Sequence, residues 1–162
     1  MIAPDGDAVA LAPALLTTLA AVAAAMATAR DRWWIIGSAA VALHGGDAGP
    51  VADVDVVLGI GDARRVFSQL GLEPRHGAPH PDFRSRLFAT WHRSALPVEY
   101  MAGFHHRTGG VWRPVAPVTR TEVLVTGGSV FVPGREELIA LLADFGRPKD
   151  IARAESLGRR PL

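Results

Sequence analysis

The chain has 162 residues, of which 49% are hydrophobic and 20% charged, and its formal net charge is +1. This composition excludes an intrinsically disordered chain, and the small net charge provides no strong field to attract nucleic acid. Because the sequence contains no cysteine, disulfides and thiolate metal sites are excluded as well. The length fits a single α/β (α+β) domain over residues 1–162, with a mixed sheet flanked by helices.

The first apolar segment, residues 8–29, is predicted to be a helix that packs on the core. Its larger side chains recur at steps of three and four residues, at Leu11, Leu15, Leu19, Val22 and Met26. A signal peptide or a membrane span is the alternative. No basic stretch precedes the segment, and threonines and a proline interrupt it, so a core helix is favoured. We therefore expect a cytoplasmic protein without a membrane partner.

Strands and helices alternate along the rest of the chain. A predicted strand over 33–36 leads into a short helix over 38–44, which Ser38 is expected to cap. A second strand over 53–58 leads into a helix capped by Asp62 that ends near residue 70. The later predicted elements are a loop over 73–83, strands over 87–91 and 96–101, an irregular segment over 103–117, a hairpin of strands 122–125 and 129–132, and two helices within 134–157.

Asp53 and Asp55 stand two residues apart in an apolar run rich in β-branched residues. Side chains alternate faces along a strand, so both carboxylates point the same way, roughly 6.5 Å apart along the chain. Two acids on one face of a buried strand repel each other and resist dehydration. A divalent cation such as Mg²⁺, carrying the phosphates of a nucleotide, would offset both effects. The alternative is a half-exposed strand whose carboxylates are simply solvated.

Gly37 and Ser38 end the first predicted strand and begin the helix that follows it. This arrangement leaves backbone N–H groups and a hydroxyl at a helix N-terminus, which suits an anionic phosphate. A phosphate cradle and a carboxylate pair on adjacent strands are two parts of one phosphoryl-transfer site. Their combination favours a functional interpretation of Asp53 and Asp55.

The pattern of an apolar residue, Gly, Ser, a short helix and then Asp-x-Asp between apolar residues resembles the signature of the DNA polymerase β-like nucleotidyltransferase superfamily. The chain is similar to small bacterial members near the abortive-infection-type and the lincosamide- or aminoglycoside-modifying nucleotidyltransferases. This resemblance implies the minimal nucleotidyltransferase fold. It also implies transfer of a nucleoside monophosphate (NMP) from a nucleoside triphosphate (NTP) such as ATP to an acceptor hydroxyl, with release of pyrophosphate. The cofactor would be Mg²⁺ or Mn²⁺, held by Asp53 and Asp55, while Gly37 and Ser38 would hold the β- and γ-phosphates.

A site of this kind usually needs a third carboxylate, and Glu99 is the candidate. Outside the Asp pair it is the acid most embedded in an apolar predicted strand, residues 96–101. By resemblance, Glu99 completes the coordination of the metal or takes the proton from the attacking hydroxyl. The alternative is a glutamate on the solvent side of an edge strand, which the nearby Pro97 would also fit.

The segment Arg147-Pro148-Lys149-Asp150 begins the last predicted helix and contains the only lysine of the chain. Proline and an acid in a first helical turn are ordinary capping chemistry, which is the alternative to a functional role. The abortive-infection-type nucleotidyltransferases carry a similar element next to the nucleotide site. The resemblance implies that Lys149 contacts the triphosphate, and that Asp150 orients it or joins the acid–base machinery.

Three classes of acceptor stay open: a small molecule such as an antibiotic, an RNA 3′ end and a protein hydroxyl. The near-neutral charge disfavours a large nucleic-acid acceptor, unless arginines gather on one face of the folded chain. The rival hypothesis is a catalytically inactive or partner-dependent domain of the same fold, as a toxin–antitoxin-like partner, a nucleotide-binding scaffold or a homodimer. A third is an α/β protein unrelated to nucleotides. The enzyme hypothesis requires Asp53, Asp55 and Glu99 to lie within reach of one ion.

Overall fold

The computed structural model of the chain describes residues 11–75 and 80–158. The helices in these ranges are α1 (Pro13–Ala25), α2 (Gly37–Leu43), α3 (Ile60–Leu70), α4 (Arg135–Phe145) and α5 (Pro148–Gly158). The strands are β1 (Trp34–Ile36), β2 (Val54–Leu58), β3 (Phe83–Arg84), β4 (Leu87–Trp91), β5 (Val98–Ala102), β6 (His105–Thr108), β7 (Val111–Pro114), β8 (Thr121–Val125) and β9 (Gly128–Val132). No helix among these residues has the length and apolar character needed to cross a membrane.

A four-stranded sheet in the order β1-β2-β5-β4 forms the centre of the fold. Strands β2 and β5 run parallel, whereas β1 and β4 pair antiparallel with their neighbours. This mixed sheet, flanked by helices, confirms the predicted fold class. The register places Asp55 beside Glu99 on one side and beside Ile36 on the other.

The internal position of β5 decides the alternative for Glu99. Because β5 lies between β2 and β4, the interpretation of Glu99 as a residue on an edge strand is wrong. Pro97 precedes the strand, where its missing N–H costs no bond of the ladder. Its carbonyl instead accepts a hydrogen bond from the N–H of Val54 at 2.9 Å, which joins the two strand starts.

Apolar side chains cover both faces of the central sheet. Val54, Val56 and Leu58 belong to the larger core cluster, which includes side chains from α1 and α3. Val57 points to the opposite face and packs in a smaller cluster that includes Phe104. Each such side chain stabilises the fold by about 1.5–3 kcal/mol when fully buried. The alternation that buries Val57 therefore also sets the direction of the Asp55 side chain.

The expectation of an irregular segment over 103–117 is wrong. Strands β6 and β7 pair antiparallel, and β3 pairs with the other edge of β6 to make a three-stranded sheet. The turn between β6 and β7 is Gly109–Gly110, with φ angles of 57° and 79° that glycine adopts without steric cost. The predicted hairpin of β8 and β9 is confirmed. Its turn is Thr126–Gly127, with Gly127 at a φ of 82°, and Gly128 is the first residue of β9.

Two predicted helix caps are also wrong. Helix α2 begins one residue before Ser38 and has no side-chain cap, so Ser38 lies inside the helix and is buried. Asp62 lies in the first turn of α3 and accepts hydrogen bonds from the backbone N–H groups of Arg30 and Asp31 at 3.0 and 2.9 Å. Helix α1 is shorter than the predicted 8–29, and residues 8–10 of that prediction lie outside the described ranges.

Candidate active site

Three carboxylates meet at the N-terminal ends of the parallel strands β2 and β5. Asp53 immediately precedes β2, Asp55 is the second residue of β2, and Glu99 is the second residue of β5. One carboxylate oxygen from each residue lies within 4.8 Å of the other two. The pairing of Asp55 with Glu99 across the ladder explains this convergence. The structure therefore brings together the three acids that the enzyme hypothesis requires.

The loop that leads into Asp53 is held by the C-terminal helix. The backbone N–H of Asp47 donates to the Ser156 hydroxyl at 3.0 Å, and Arg153 Nε donates to the Ala48 carbonyl at 3.2 Å. Both contacts tie the loop to α5. The approach to the first carboxylate is thus fixed by a distant part of the chain.

Gly37 lies directly against the carboxylate of Asp55. Its φ is +70°, and a Cβ atom at this position would lie 2.8 Å from Asp55 Oδ2, closer than real Cβ atoms approach. Any larger residue would therefore displace the carboxylate, and the left-handed backbone would be strained as well. Gly37 was predicted at the site for its backbone N–H, and the structure adds this close approach.

The position of Asp55 disfavours its negative charge. Burial raises the pKa of Asp55 well above the usual carboxyl range, the charges of Asp53 and Glu99 raise it further, and so does a hydrogen bond with Glu99. The positive charge of Arg147 opposes these effects. Asp55 Oδ1 is buried and has no hydrogen-bond partner among the described residues.

Glu99 is coupled to the same cluster. Burial raises its pKa, and Asp53 adds to this effect, whereas the hydrogen bond with Asp55 and the charge of His92 lower the pKa. Acids coupled in this way share protons as a group. Three carboxylates with a buried, unpaired oxygen fit a hard divalent cation such as Mg²⁺ or Mn²⁺, which prefers oxygen ligands and offsets their repulsion.

Arg147 is a candidate that the sequence analysis left without a role. Its charge acts on Asp55, and its Nε and Nη2 atoms donate to the Asp150 carboxylate at 2.6 and 3.2 Å. Its guanidinium carbon also lies 5.0 Å from the centre of the Phe83 ring. The available signal was its place in the same segment as Lys149 and Asp150.

The other predicted residues lie outside the group of three carboxylates. The Asp150 side chain is 1% exposed and paired with Arg147. Lys149 is exposed in the first turn of α5 and forms no ion pair within the described part of the chain. Ser38 is buried next to Gly37.

Comparison with known proteins identifies the fold. No protein-family model matches the chain, and no curated protein matches it in sequence. A candidate nucleotidyltransferase from Thermotoga maritima matches its structure with a TM-score of 0.67 and 20% identity, over 98% of this chain and 93% of that one. The antibiotic-resistance factor ANT(2″)-Ia matches with a TM-score of 0.52 and 16% identity, over 89% of this chain and 81% of its own. The lincomycin-bound lincosamide antibiotic adenylyltransferase LnuA matches with a TM-score of 0.50 and 11% identity, over 78% and 85% of the two chains.

At these identities the likeness concerns the fold. It agrees with the resemblance drawn from the Gly-Ser and Asp-x-Asp pattern, whose residues the structure places side by side at Gly37 and Asp55. The chain therefore has the nucleotidyltransferase fold.

Proposed function

We propose that this chain is an enzyme that transfers an NMP from an NTP to an acceptor hydroxyl in a Mg²⁺-dependent reaction. In this reaction the acceptor oxygen bonds to the α-phosphorus, the bond from that phosphorus to the bridging oxygen breaks, and pyrophosphate leaves. The observation that carries the proposal is the convergence of Asp53, Asp55 and Glu99 within 4.8 Å, in a chain with the nucleotidyltransferase fold.

The carboxylates have distinct proposed roles. Asp53, Asp55 and Glu99 would hold Mg²⁺ or Mn²⁺, which when bound neutralises phosphate charge and orients the reacting groups. The buried, unpaired Oδ1 of Asp55 supports its assignment as a ligand. Glu99 is also the proposed acceptor of the proton from the attacking hydroxyl, because it lies in the same carboxylate cluster and its side chain is only half-buried.

The groups around the carboxylates are proposed to bind the triphosphate. Backbone N–H groups at Gly37 and Ser38 would bind the β- and γ-phosphates, since Gly37 lies against Asp55. Lys149 and Arg147 would neutralise phosphate charge. Asp150, fully buried behind Arg147, is proposed as a positioning residue for that guanidinium and not as an acid or base.

The proposal is tested by following phosphate labels from the NTP. The protein is incubated with Mg²⁺, an NTP labelled at the α- or the γ-phosphate, and separate RNA, protein and small-molecule fractions of a cell extract. Label from the α-phosphate should appear on an acceptor, whereas γ-label should leave with pyrophosphate. Asp55→Asn should lower transfer by about 100-fold or more, and Arg64→Gln, an exposed change on α3, should leave it unchanged.

Two outcomes would contradict nucleotidyl transfer. Appearance of γ-label on an acceptor would indicate a kinase. Absence of transfer from all four NTPs would favour the partner-dependent or nucleotide-binding scaffold.

A further inference from the structure

A cavity beside the start of β1 is lined by arginines that have no role at the carboxylate site. Its volume is about 400 Å³, and its lining includes Trp33, which precedes β1. Trp34 pairs with Val57, near the end of β2, whereas Asp55 pairs with Ile36. At about 3.3 Å per residue, the first and last residues of β2, Val54 and Leu58, are about 13 Å apart, and none of the three carboxylates lines the cavity. The cavity is therefore separate from the three carboxylates.

The walls of the cavity carry an excess of positive charge. Arg30, Arg32 and Arg120 line it, and Asp31 is the acidic residue of the lining. The three arginines are exposed, and none forms an ion pair with a carboxylate in the described ranges. Three guanidinium groups around one cavity repel each other, and a bound anion would offset this repulsion.

One wall of the cavity is fixed by a buried carboxylate. Asp62 is 1% exposed, and its carboxylate accepts hydrogen bonds from the backbone N–H groups of Arg30 and Asp31 at 3.0 and 2.9 Å. Asp62 also pairs with Arg65 of its own helix. The backbone that carries Arg30 and Arg32 is therefore held in place before any ligand arrives, which reduces the entropy lost on binding.

Another part of the lining is built on aromatic rings. The guanidinium carbon of Arg120 lies 3.8 Å from the centre of the Phe131 ring. Phe131 in turn packs edge-on against Trp33, with ring centres 5.4 Å apart. Stacking on an aromatic face orients a guanidinium group while leaving its N–H donors free at the edge.

We propose that this cavity is a second, metal-independent anion site, which binds a phosphate-bearing ligand through Arg30, Arg32 and Arg120. Guanidinium groups match the geometry of phosphate oxygens with paired hydrogen bonds. A volume of about 400 Å³ lies within the usual range of small-ligand sites. The phosphate could belong to a free nucleotide or to the backbone of a nucleic acid. The site stands independently of the proposed enzymatic function.

The test uses tripolyphosphate without divalent metal as the probe, and titration calorimetry to measure its Kd. Wild-type protein should bind the probe, and Arg30→Gln and Arg120→Gln should each raise the Kd about tenfold or more, as expected for losing a charged hydrogen bond. Arg64→Gln removes an exposed arginine elsewhere and should leave the Kd unchanged. Without probe, Arg30→Gln and Arg64→Gln should melt at the wild-type temperature, because both side chains are exposed. Arg120→Gln should melt slightly lower, because it loses the stacking on Phe131.

Competition then separates the two sources of phosphate. Displacement of the probe by ATP at lower concentration than by a single-stranded oligonucleotide would identify a nucleotide site, and the reverse order would identify a nucleic-acid contact. The proposal is overturned if the wild-type protein does not bind the probe, or if Arg30→Gln and Arg120→Gln bind it unchanged. Loss of binding in Lys149→Gln alone would place the anion at the carboxylate site and would overturn it too. None of these outcomes alters the label-transfer test.

Discussion

Asp55 combines burial, like-charged neighbours and an unpaired oxygen in a single side chain. Because its pKa is raised in the folded state, the folded protein binds more protons than the unfolded chain between the usual carboxyl pKa and the raised value. The free energy of unfolding of the metal-free protein therefore falls as the pH rises through this interval. Above it, the charged Asp55 destabilises the fold by a constant amount. Such electrostatic strain is typical of functional sites.

Replacing this carboxylate should make the metal-free protein more stable. We expect Asp55→Asn to raise the free energy of unfolding at pH 8 by about 1–2 kcal/mol, since one pKa unit corresponds to about 1.4 kcal/mol. Urea denaturation at pH 4 and pH 8 measures this, and the gain should shrink at pH 4. Asp82→Asn, at an exposed position, is the matched control and should change little. A variant less stable than wild type at pH 8 would contradict this electrostatic explanation.

Gly37 can be tested against a glycine with the same backbone strain. Gly37 and Gly45 have φ angles of 70° and 77°, but only at Gly37 would a Cβ meet Asp55, because nothing lies within 4 Å of a Cβ at Gly45. Both alanine variants should lose about 1–2 kcal/mol of stability from the left-handed backbone. Only Gly37→Ala should also weaken Mg²⁺ binding measured by calorimetry. Equal Mg²⁺ affinity in the two variants would show that the contact has no role at the site.

At the scale of the elements, most helices and strands follow from local signals in the sequence. The alternation in Val54–Leu58 and the glycines that end α3 and α4 in the left-handed conformation are such signals. The three-stranded sheet was missed because β3 has only two residues, β6 is polar, and β7 is a short, mostly exposed strand that ends in a proline. Its apolar support comes from rings elsewhere in the chain, such as Phe145 against Phe83, which no local pattern reveals.

Some residues of the candidate site can likewise be recognised in the local sequence, whereas others are brought to it only by the fold. Gly37, Asp53 and Asp55 could be proposed from adjacent residues, because the chemistry is visible in the local pattern. Glu99 came from the family resemblance, and its place beside Asp55 depends on a parallel register between distant strands. The effect of Arg147 on Asp55 depends on how α5 packs, so it could not be read from the sequence.

The ion pair between Arg147 and Asp150 at the start of α5 can be tested with a double-mutant cycle. Arg147→Gln leaves a buried carboxylate without its charged partner, and we expect a loss of about 1–2 kcal/mol, toward the low end because the Arg147 side chain is 42% exposed. The double variant Arg147→Gln/Asp150→Asn should lose less than the sum of the single changes. Lys149→Gln, on the same turn, should stay within about 0.5 kcal/mol of wild type in urea denaturation. Strict additivity would show that the pair does not stabilise α5.

At the scale of the whole molecule, the core can be tested at Tyr100. Its ring is fully buried and packs edge-on against Phe67, whereas its hydroxyl has no hydrogen-bond partner in the described residues. Burial accordingly raises the pKa of Tyr100. We expect Tyr100→Phe to be neutral or to stabilise by up to about 1 kcal/mol, because the ring packing is kept and an unpaired polar group is removed. A loss above 1 kcal/mol in thermal or urea unfolding would contradict this packing.

The net charge of the chain does not describe how its arginines are distributed over the folded molecule. The net charge of +1 disfavours a large nucleic-acid partner. The fold nevertheless gathers Arg30, Arg32 and Arg120 around one cavity, separate from Arg147 and Lys149 in the C-terminal segment. Both proposals therefore assign phosphate binding to local groups of positive charge, although the molecule as a whole is nearly neutral.

The central claim is that Asp53, Asp55 and Glu99 form a metal-dependent nucleotide site. The most direct test is thermal unfolding with ATP, CTP, GTP and UTP, each with and without Mg²⁺, for wild type, Asp55→Asn and Tyr100→Phe. A nucleotide at about one hundred times its Kd should stabilise the protein by about 2.7 kcal/mol. We expect at least one NTP to raise the melting temperature only with Mg²⁺, in wild type and Tyr100→Phe but not in Asp55→Asn. The absence of a shift with every NTP, or a shift that persists in Asp55→Asn, would contradict the claim.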